Sequence, residues 1–280
     1  MTILITGGSG KTSSVLAKRL HAANLPILVA SRAGKAPEPF KAVVFNWLDP
    51  ATFENPFIAD SSIDRVYIVV AMFGPETAHV NAFVDFARTK GVKRFVLLSA
   101  SQIEAGKLPL GEIHQHLIDS GVEYAVLRPT WFQQNFGASL LTSIRDHSQT
   151  FSASQSGRLA FVSTEDIAEA AFQALTAEPS LNKDLLVFGP ELLSHDEVAA
   201  LLSAAVGRKI THVKHTVEEM KNIYTSYGLP EEYAAVLSDM EGKIADQVEE
   251  ELFNVSVDKK FVGKRTVGEY IQKNREQWIN

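Results

Sequence analysis

The residues whose types and spacing point most directly to chemistry form a glycine-rich turn. The segment TGGSGKTSS (Thr6–Ser14) follows an apolar run and opens a helical pattern. In such a turn Gly7 permits the tight reversal, Gly10 leaves room for a pyrophosphate, and the helix N-terminus supplies unpaired N–H donors. Ser13 replaces the third glycine of the usual dinucleotide fingerprint and is small enough to keep helix and strand close. We therefore predict a dinucleotide site formed by Gly7, Gly8, Gly10, Lys11 and Thr12.

The same segment admits two other interpretations. Gly10-Lys11-Thr12 resembles the end of a P-loop, GxxxxGK[ST], but that pattern requires a glycine where this chain has Ile5. A P-loop protein also needs a magnesium-binding acid at the end of a neighbouring strand, and the run VYIVVAM ends without one. Alternatively, the glycines only form a turn. Three glycines within four residues after the first strand favour the dinucleotide interpretation.

The end of the second apolar run indicates which dinucleotide binds. Proteins that bind NAD usually place Asp or Glu about 20 residues after the glycines to hold the ribose diol. Here Ser31 takes that place and Arg32 follows. A hydroxyl and a guanidinium suit a 2′-phosphate, through charge-assisted contacts. The sequence predicts NADP(H), with a solvated loop arginine beside Lys35 as the alternative.

Candidate reacting groups follow the later strands. The fourth strand runs into Phe73 and Gly74, and the fifth runs into Ser99 and Ser101. Ligands bind at the carboxyl ends of parallel strands, so Phe73, Gly74 and Ser99 are expected beside the cofactor. Ser99 and Ser101 are also candidates for substrate contact and catalysis, although strand-end serines often only cap the next turn.

A helix after the fifth strand carries two histidines. His114 and His116 are two residues apart, so they do not share a helix face, and no metal site is predicted. His114 is the candidate to bond a nicotinamide ribose hydroxyl or to act as a modest acid. A half-exposed helix histidine without a role is the alternative.

An aromatic segment follows the sixth strand. Trp131, Phe132, Asn135 and Phe136 are the candidate substrate contacts, together with Phe73. Their rings could stack on a flat, indole-like substrate and attract a cation to their π-faces. Plain core packing is the alternative for some of these rings.

These groups need a scaffold, and apolar runs alternating with helical patterns indicate a doubly wound, parallel Rossmann-type α/β sheet. A small, mainly helical C-terminal substrate lobe is expected beyond Pro190. We predict an NADP-binding domain over residues 1–190 and a substrate-binding lobe over 191–280, with 150–158 as a candidate insertion belonging to the lobe. Leu159–Val162 and Leu185–Phe188 are expected as strands at the sheet edge, and Lys209–Lys214 as a strand of the lobe.

Composition excludes several classes of protein. The net charge of -6 and the scattered basic residues argue against nucleic-acid binding, which needs a concentrated positive face. No run of eighteen apolar residues and no signal peptide are visible, so no membrane association is expected. Cysteine is absent, which excludes disulfides and thiolate chemistry and fits a cytoplasmic location.

A family resemblance extends over nearly the whole chain. The chain resembles the NmrA-like group of atypical short-chain dehydrogenases, and within it the ergot alkaloid reductases. The matching stretches are GGSGKT (7–12), FNWLD (45–49), RFVLLSAS (94–101), IHQHL (113–117), LRPTWFQQNF (127–136), VSTEDIA (162–168), FGPELLSHDEVA (188–199) and GRKITH (207–212). The resemblance implies a nicotinamide cofactor and reduction of an alkaloid imine or iminium ion.

One departure from the dehydrogenase pattern bears on mechanism. Short-chain dehydrogenases generally use a Tyr-x-x-x-Lys pair, and the corresponding positions here are Leu110 and His114. A ketone becomes an alkoxide on hydride attack and needs a proton donor, whereas an iminium carbon needs none. Loss of the tyrosine therefore favours an iminium acceptor.

Three functions remain open from the sequence. The first is an NADPH-dependent reductase of an alkaloid-type iminium substrate, whose hydride step could accompany ring formation. The second is a quinone or enone reductase, whose electron-poor acceptor also needs no tyrosine. The third is a regulator that senses NADP(H) without turnover.

Overall fold

Strands and helices alternate through the first half of the chain. The structure, a computed structural model, describes residues 1–70 and 76–279. The elements up to Pro129 are β1 (Thr2–Ile5), α1 (Lys11–Ala22), β2 (Ile27–Ser31), β3 (Ala42–Val44), α2 (Asn55–Ala59), β4 (Ile63–Ile68), α3 (Glu76–Thr89), β5 (Arg94–Leu98), α4 (Gly111–Asp119) and β6 (Glu123–Pro129). One 3₁₀ turn, Pro50–Thr52, lies among them. These elements follow the alternation that the apolar runs predict.

The second half of the chain has shorter strands and more helices. Its elements are α5 (Leu141–His147), β7 (Gln149–Ser152), β8 (Arg158–Leu159), α6 (Thr164–Thr176), β9 (Lys183–Phe188), β10 (Leu193–Ser194), α7 (His195–Val206), β11 (Thr211–Lys214), α8 (Val217–Ser226), α9 (Glu231–Ala245), α10 (Val248–Phe253), β12 (Lys260–Val262) and α11 (Val267–Asn274). Three 3₁₀ turns accompany them, at Gln133–Asn135, Val257–Lys259 and Arg275–Trp278.

Eight of the strands form one sheet in the order β12-β9-β6-β5-β4-β1-β2-β3. The pairs β1–β2, β1–β4, β2–β3, β4–β5, β5–β6 and β9–β12 are parallel. Because the order reverses on either side of β1, the connections cover both faces of the sheet with helices. The predicted doubly wound, Rossmann-type fold is confirmed.

Burial on both faces explains the continuous apolar character of the central strands. Ile3, Leu4 and Ile5 of β1 are each 0% exposed, although they point alternately to opposite faces. One cluster of buried side chains, which includes Leu4, Phe83 and Val126, fills the face under α3 and α4.

The chain divides into two compact units. Unit 1 contains Met1–Arg128 and Ile167–Leu185, and unit 2 contains Pro129–Asp166 and Leu186–Asn280. A single boundary at residue 190 therefore does not describe the division, because the chain enters unit 2 at Pro129, returns to unit 1 at Ile167 and leaves it again. The predicted insertion at 150–158 belongs to unit 2, together with its flanking residues.

One strand prediction needs correction, and one strand was not predicted. The run Leu159–Val162 does not join the main sheet: β8 ends at Leu159 and pairs antiparallel with β10 in a separate two-stranded sheet. The three-residue strand β12 joins the main sheet beside β9, although its sequence KFV is too short to carry a periodic signal. The predicted strand at Leu185–Phe188 lies within β9, one strand in from the edge that β12 forms, and the predicted strand at Lys209–Lys214 contains the shorter β11.

Two absences hold for residues 1–70 and 76–279. No helix in these ranges is long and apolar enough to cross a membrane. Within the same ranges, no group of three or more His, Cys, Asp or Glu side chains is arranged to hold a metal ion.

Candidate active site

The glycine-rich turn between β1 and α1 is shaped by three different steric demands. Gly7 has a φ of +60°, a conformation that residues with a Cβ rarely adopt. A Cβ on Gly8 would lie 2.1 Å from Val29 Cγ1 of β2, and a Cβ on Gly10 would lie 2.9 Å from the Gly7 carbonyl oxygen. Gly10 N–H donates to that same carbonyl at 2.7 Å, so the turn closes on itself. Each glycine is therefore required by geometry.

The N-terminus of α1 is left without a capping side chain. Gly10 is its N-cap residue and has no side chain that could accept from the first N–H groups, and no acidic residue lies in the first turn. By contrast, α7, α8 and α11 of unit 2 each begin with a complete capping box. The backbone N–H groups of the first turn and the positive end of the helix dipole make this terminus suitable for a phosphate.

Two side chains on α1 hold the helix against the sheet. Ser13 Oγ donates to the Thr6 carbonyl oxygen at 2.9 Å, which explains how serine replaces the third glycine of the fingerprint. Thr12 is 3% exposed, and its hydroxyl accepts from the Tyr67 hydroxyl at 3.3 Å. The side chain of Thr12 thus packs inward, which leaves its backbone N–H as the group that could bind a ligand. Lys11 is exposed at the start of the helix.

Side chains that the sequence did not single out fix the end of β4 beside this turn. The Thr6 hydroxyl accepts from Val69 N–H at 2.8 Å, and the Trp47 indole donates to the Val69 carbonyl oxygen at 3.0 Å. A Cβ on Gly7 would lie 3.2 Å from Val69, so the two strand ends are in close contact. Phe73 and Gly74, the predicted cofactor and substrate contacts after this strand, lie outside the described residues.

An exposed cation, Arg32, follows β2 on a loop that hydrogen bonds between Ser31 and Lys35 close. Ser31 Oγ donates to the Lys35 carbonyl oxygen at 3.0 Å and accepts from Lys35 N–H at 3.1 Å. This hydroxyl shapes the loop, so its proton is not available to a phosphate. Arg32 is exposed, and no ion pair to it is found among the described residues. The guanidinium of Arg32 is the stronger candidate for a 2′-phosphate contact.

Arg128 links the carboxyl ends of β5 and β6 and is a residue that sequence reasoning passed over. It is 7% exposed; its Nη2 donates to the Ser101 carbonyl oxygen at 2.6 Å, and its Nη1 donates to Asp184 Oδ2 of β9 at 2.7 Å. A single charged residue inside the apolar run YAVLRP was the available signal. The predicted residue Ser101 is 0% exposed and lies within this arrangement.

Some of the buried side-chain atoms at this edge have no hydrogen-bond partner among the described residues. Among them are Ser99 Oγ, Arg128 Nε and His114 Nδ1, on residues that are 7%, 7% and 4% exposed. Ser99 follows β5 next to Arg128, because Leu98 pairs with Leu127 in register and Ser99 N–H donates to the Leu127 carbonyl oxygen. Buried polar atoms normally have partners, so these three are the candidates at this edge to contact a ligand.

His114 lies on α4, on the helix side that packs toward β6. Its ring centroid is 6.1 Å from that of Tyr124. Burial lowers the pKa of His114 below its ordinary value; Asp184 acts in the opposite direction and Arg128 adds to the lowering. The imidazole is therefore neutral at pH 7. The half-exposed position considered from the sequence describes His116 instead, which contacts Asp85 at 3.0 Å.

The predicted substrate-binding residues after β6 all belong to unit 2 and differ in exposure. Trp131, Phe132 and Asn135 are half-buried. Phe136 is 1% exposed, packs its ring 5.2 Å from that of Phe161, and its carbonyl oxygen accepts from the Trp278 indole at 2.9 Å. The packing alternative therefore describes Phe136, because no face of its ring is open to a ligand.

Comparison with known proteins adds a family to this geometry. The NmrA-like family matches residues 1–271. Agroclavine dehydrogenase of Claviceps fusiformis is 39% identical over 286 residues, which cover 100% of this chain and 99% of that protein. Festuclavine synthase I of Penicillium roqueforti is 41% identical over 265 residues, covering 90% of this chain and 91% of that protein.

Solved structures agree on the fold. The NADPH-dependent quinone oxidoreductase QOR2 of Escherichia coli, in complex with NADPH, superposes with a TM-score of 0.76 and is 20% identical, covering 97% of this chain and 99% of that chain. The fold, the glycine-rich turn and the family match lead to one conclusion: the chain belongs to the NmrA-like family, and it is similar over its whole length to agroclavine dehydrogenase.

Proposed function

We propose that this chain is an NADPH-dependent reductase that transfers hydride to the C=N bond of an alkaloid-type iminium ion without a tyrosine acid. The observation that carries the proposal concerns the two positions of the missing Tyr-x-x-x-Lys pair. Leu110 is 5% exposed and belongs to the apolar core, so it offers no proton. His114 is buried and neutral at pH 7, so it is a weak proton donor.

The cofactor would be held by groups at the carboxyl ends of β1 and β2. The turn at Gly7, Gly8 and Gly10 leaves backbone room for a pyrophosphate beside the uncapped N-terminus of α1. Arg32 would pair with a 2′-phosphate, which favours NADPH over NADH. Ser99, Ser101 and His114 are assigned to the nicotinamide end; of these, Ser99 Oγ and His114 Nδ1 are buried and have no hydrogen-bond partner among the described residues.

The chemistry needs little from the protein beyond orientation. When bound, NADPH supplies a hydride. An iminium ion that accepts the hydride at its carbon would become an amine without any proton transfer, because the C=N π pair becomes the nitrogen lone pair. The residues of the chain would hold the reacting groups in line and exclude water. An acid-free site is compatible with a cation as acceptor and poorly compatible with a ketone.

The substrate class rests on the relatives. Two proteins with 39% and 41% identity are named for agroclavine and festuclavine, so we transfer an indole alkaloid-like substrate to this chain. Trp131 and Phe132 are half-buried and are the proposed aromatic contacts to a flat cation. Phe136 is left out because its ring is enclosed.

A single-turnover measurement tests the proposal. The hydride-transfer rate is followed by NADPH absorbance with an N-alkylated cyclic iminium, which cannot lose its charge, across pH 6 to 9. We expect a flat profile, and a loss in His114→Ala of less than the ~10²-fold that removal of a general acid gives at minimum. A rate that falls with a histidine-like pKa and is abolished in His114→Ala would contradict the acid-free mechanism.

The same assay distinguishes the other functions. Quinones and enones are offered to the enzyme in parallel with cyclic imines. Fast NADPH oxidation by a quinone but not by an iminium would reassign the chain as a quinone reductase. Tight NADPH binding with no oxidation by any acceptor would favour a dinucleotide-sensing regulator.

A further inference from the structure

Resting on the proposed function, we infer that Arg128 and Ser99 form a carboxamide-binding subsite that fixes the nicotinamide ring, and that Asp184 positions Arg128 for this task. Both side chains lie at the carboxyl ends of neighbouring strands. Leu97 pairs with Val126 in register, and both pack in one core cluster with residues of α4. Ser99 and Arg128, each two residues further along, are therefore expected on the same face of the sheet.

The bonds of Arg128 leave one donor unused. Nη1 donates to Asp184 at 2.7 Å and Nη2 donates to the Ser101 carbonyl oxygen at 2.6 Å; together these bonds fix the plane of the guanidinium. Its Nε–H is buried and has no acceptor among the described residues. An arginine N–H can only donate, so the missing partner must be an acceptor atom.

Ser99 supplies the complementary group. Its hydroxyl is buried, has no partner among the described residues and can either accept or donate. A primary carboxamide offers both halves of such a pair, since its oxygen accepts from Arg128 Nε–H while its N–H donates to Ser99 Oγ. His114 Nδ1, the third orphaned atom, then remains for a ribose hydroxyl of the same nucleoside.

The charge balance of the subsite favours a neutral amide over a carboxylate. The positive charge of Arg128 is already paired with Asp184, and His114 is neutral. An additional anion in this buried place would therefore face Asp184 without a free countercharge, which makes its desolvation costly.

Arg94 provides a matched comparison on the same sheet. It is a buried arginine paired with carboxylates like Arg128, but it lies at the amino end of β5, and its guanidinium meets Glu123, Glu178 and the carbonyl oxygens of Leu175 and Ala177. Lysine substitution at either position keeps the charge and removes the fork geometry. Any general weakening of the fold should then show in both variants.

The experiment measures binding of three probes by calorimetry. The probes are NADP⁺, its 3-acetylpyridine analogue, which keeps the carbonyl and lacks the amide N–H, and 2′-phospho-ADP-ribose, which lacks the ring. We expect Arg128→Lys to weaken both dinucleotides about ten- to a hundredfold and Ser99→Ala to weaken NADP⁺ alone, by up to about tenfold. Asp184→Asn should follow Arg128→Lys in direction. None of these variants should change binding of 2′-phospho-ADP-ribose, and Arg94→Lys should change no binding constant.

The outcomes separate the inference from the proposed function. Equal weakening of all three probes in Arg128→Lys, or no change in any, would overturn the carboxamide subsite. Equal weakening of the two dinucleotides in Ser99→Ala would overturn the role of its hydroxyl as acceptor, and Ser99→Ala keeps this test open if the Arg128 variants do not fold. If the wild-type protein bound none of the three probes, the proposed NADPH function itself would be wrong.

Discussion

Two buried arginines at opposite edges of the sheet in unit 1 show how similar residues serve different purposes. At the amino edge, Arg94 is 1% exposed, and its guanidinium meets two glutamates and the carbonyl oxygens at the end of α6. At the carboxyl edge, Arg128 is 7% exposed and keeps one N–H without an acceptor among the described residues. The first arrangement satisfies the carbonyl oxygens at a helix end; in the second, one N–H remains to donate to the ligand proposed above.

The difference follows from where a parallel sheet exposes its chemistry. Loops at the carboxyl ends of the strands carry the residues that contact ligands, while loops at the amino ends only connect elements. A buried polar group costs free energy unless it is satisfied, so an unsatisfied one at the carboxyl edge is a candidate for contact with a ligand. Four substitutions can break or sharpen this contrast.

Gly10→Val at the carboxyl edge should have the largest effect. Its Cβ would lie 2.9 Å from the Gly7 carbonyl oxygen, and the branched methyl groups would occupy the space that a pyrophosphate needs. We expect NADPH affinity to fall by at least about a hundredfold, or ~2.7 kcal/mol, while the protein stays folded. The control is Gly268→Val, where an added Cβ meets nothing within 4 Å. Unchanged NADPH affinity in folded Gly10→Val would contradict the placement of the cofactor.

Arg94→Met should affect folding without affecting binding. The substitution removes the Arg94 donor to the Ala177 carbonyl oxygen and one of two donors to the Leu175 carbonyl oxygen, which also accepts from Arg65. Glu123 and Glu178 are exposed enough to regain water, so we expect a loss of about 2–4 kcal/mol in the free energy of unfolding. Urea denaturation followed by circular dichroism measures the loss. A fall in the NADPH affinity of the folded variant would contradict the inference that only the carboxyl edge of the sheet contributes to cofactor binding.

Glu241 in unit 2 extends the comparison to a buried acid. It is 3% exposed, accepts from Ala153 N–H at 2.8 Å and hydrogen-bonds the Tyr224 hydroxyl, so its contacts are complete. Burial raises the pKa of Glu241 to about 7 from an ordinary 4.5. The unfolded chain gives up this proton first as pH rises, so the stability due to the protonated acid is full below pH 4.5 and is lost by pH 7.

Glu241→Gln should therefore flatten the pH dependence of stability. Glutamine imitates the protonated acid and does not ionise, which removes a loss of up to about 3 kcal/mol between pH 4.5 and 7. Urea midpoints at pH 5 and pH 8 measure it, with the exposed Glu232→Gln on the same helix as control. Cofactor affinity should not change. An unaltered pH profile would show that Glu241 ionises normally in the folded protein.

Arg32→Ala should have the smallest effect and the sharpest selectivity. Arg32 is exposed, so its loss should not destabilise the fold. Losing a charge-assisted contact to the 2′-phosphate costs about 1.5–3 kcal/mol, so NADPH affinity should fall about ten- to a hundredfold while NADH affinity stays unchanged. Titration with both cofactors decides it; an equal loss for NADPH and NADH would refute the 2′-phosphate contact.

Much of the fold could be predicted from the sequence because its signals are local. The strand, turn and helix over residues 2–22 form one contiguous unit, so apolar runs and glycine spacing were enough to locate it. The same holds for the order of β1 to β6 and for helix α9 after Pro230. The division into two units was harder to predict from the sequence, because the chain crosses between the units three times.

The site at the carboxyl edge was only partly predictable because its contacts join distant residues. Arg128 meets Ser101 from 27 residues away and Asp184 from 56 residues away, and no spacing rule connects them. The same reason hides the contact between Tyr67 and Thr12, which lie 55 residues apart. For Ser31 and Phe136 the residue type suggests a ligand contact that the structure does not favour. The Ser31 hydroxyl is hydrogen-bonded to Lys35, and the Phe136 ring packs against Phe161.

By itself, then, the amino-acid sequence determined the strand–turn–helix that can receive a dinucleotide, the cation at Arg32 and the loss of the tyrosine acid, since each depends on residue type at a local position. The tertiary structure alone decided which buried polar atoms have partners. Satisfaction of a hydrogen bond depends on what other strands and helices bring within 3 Å, and only the folded chain fixes those distances.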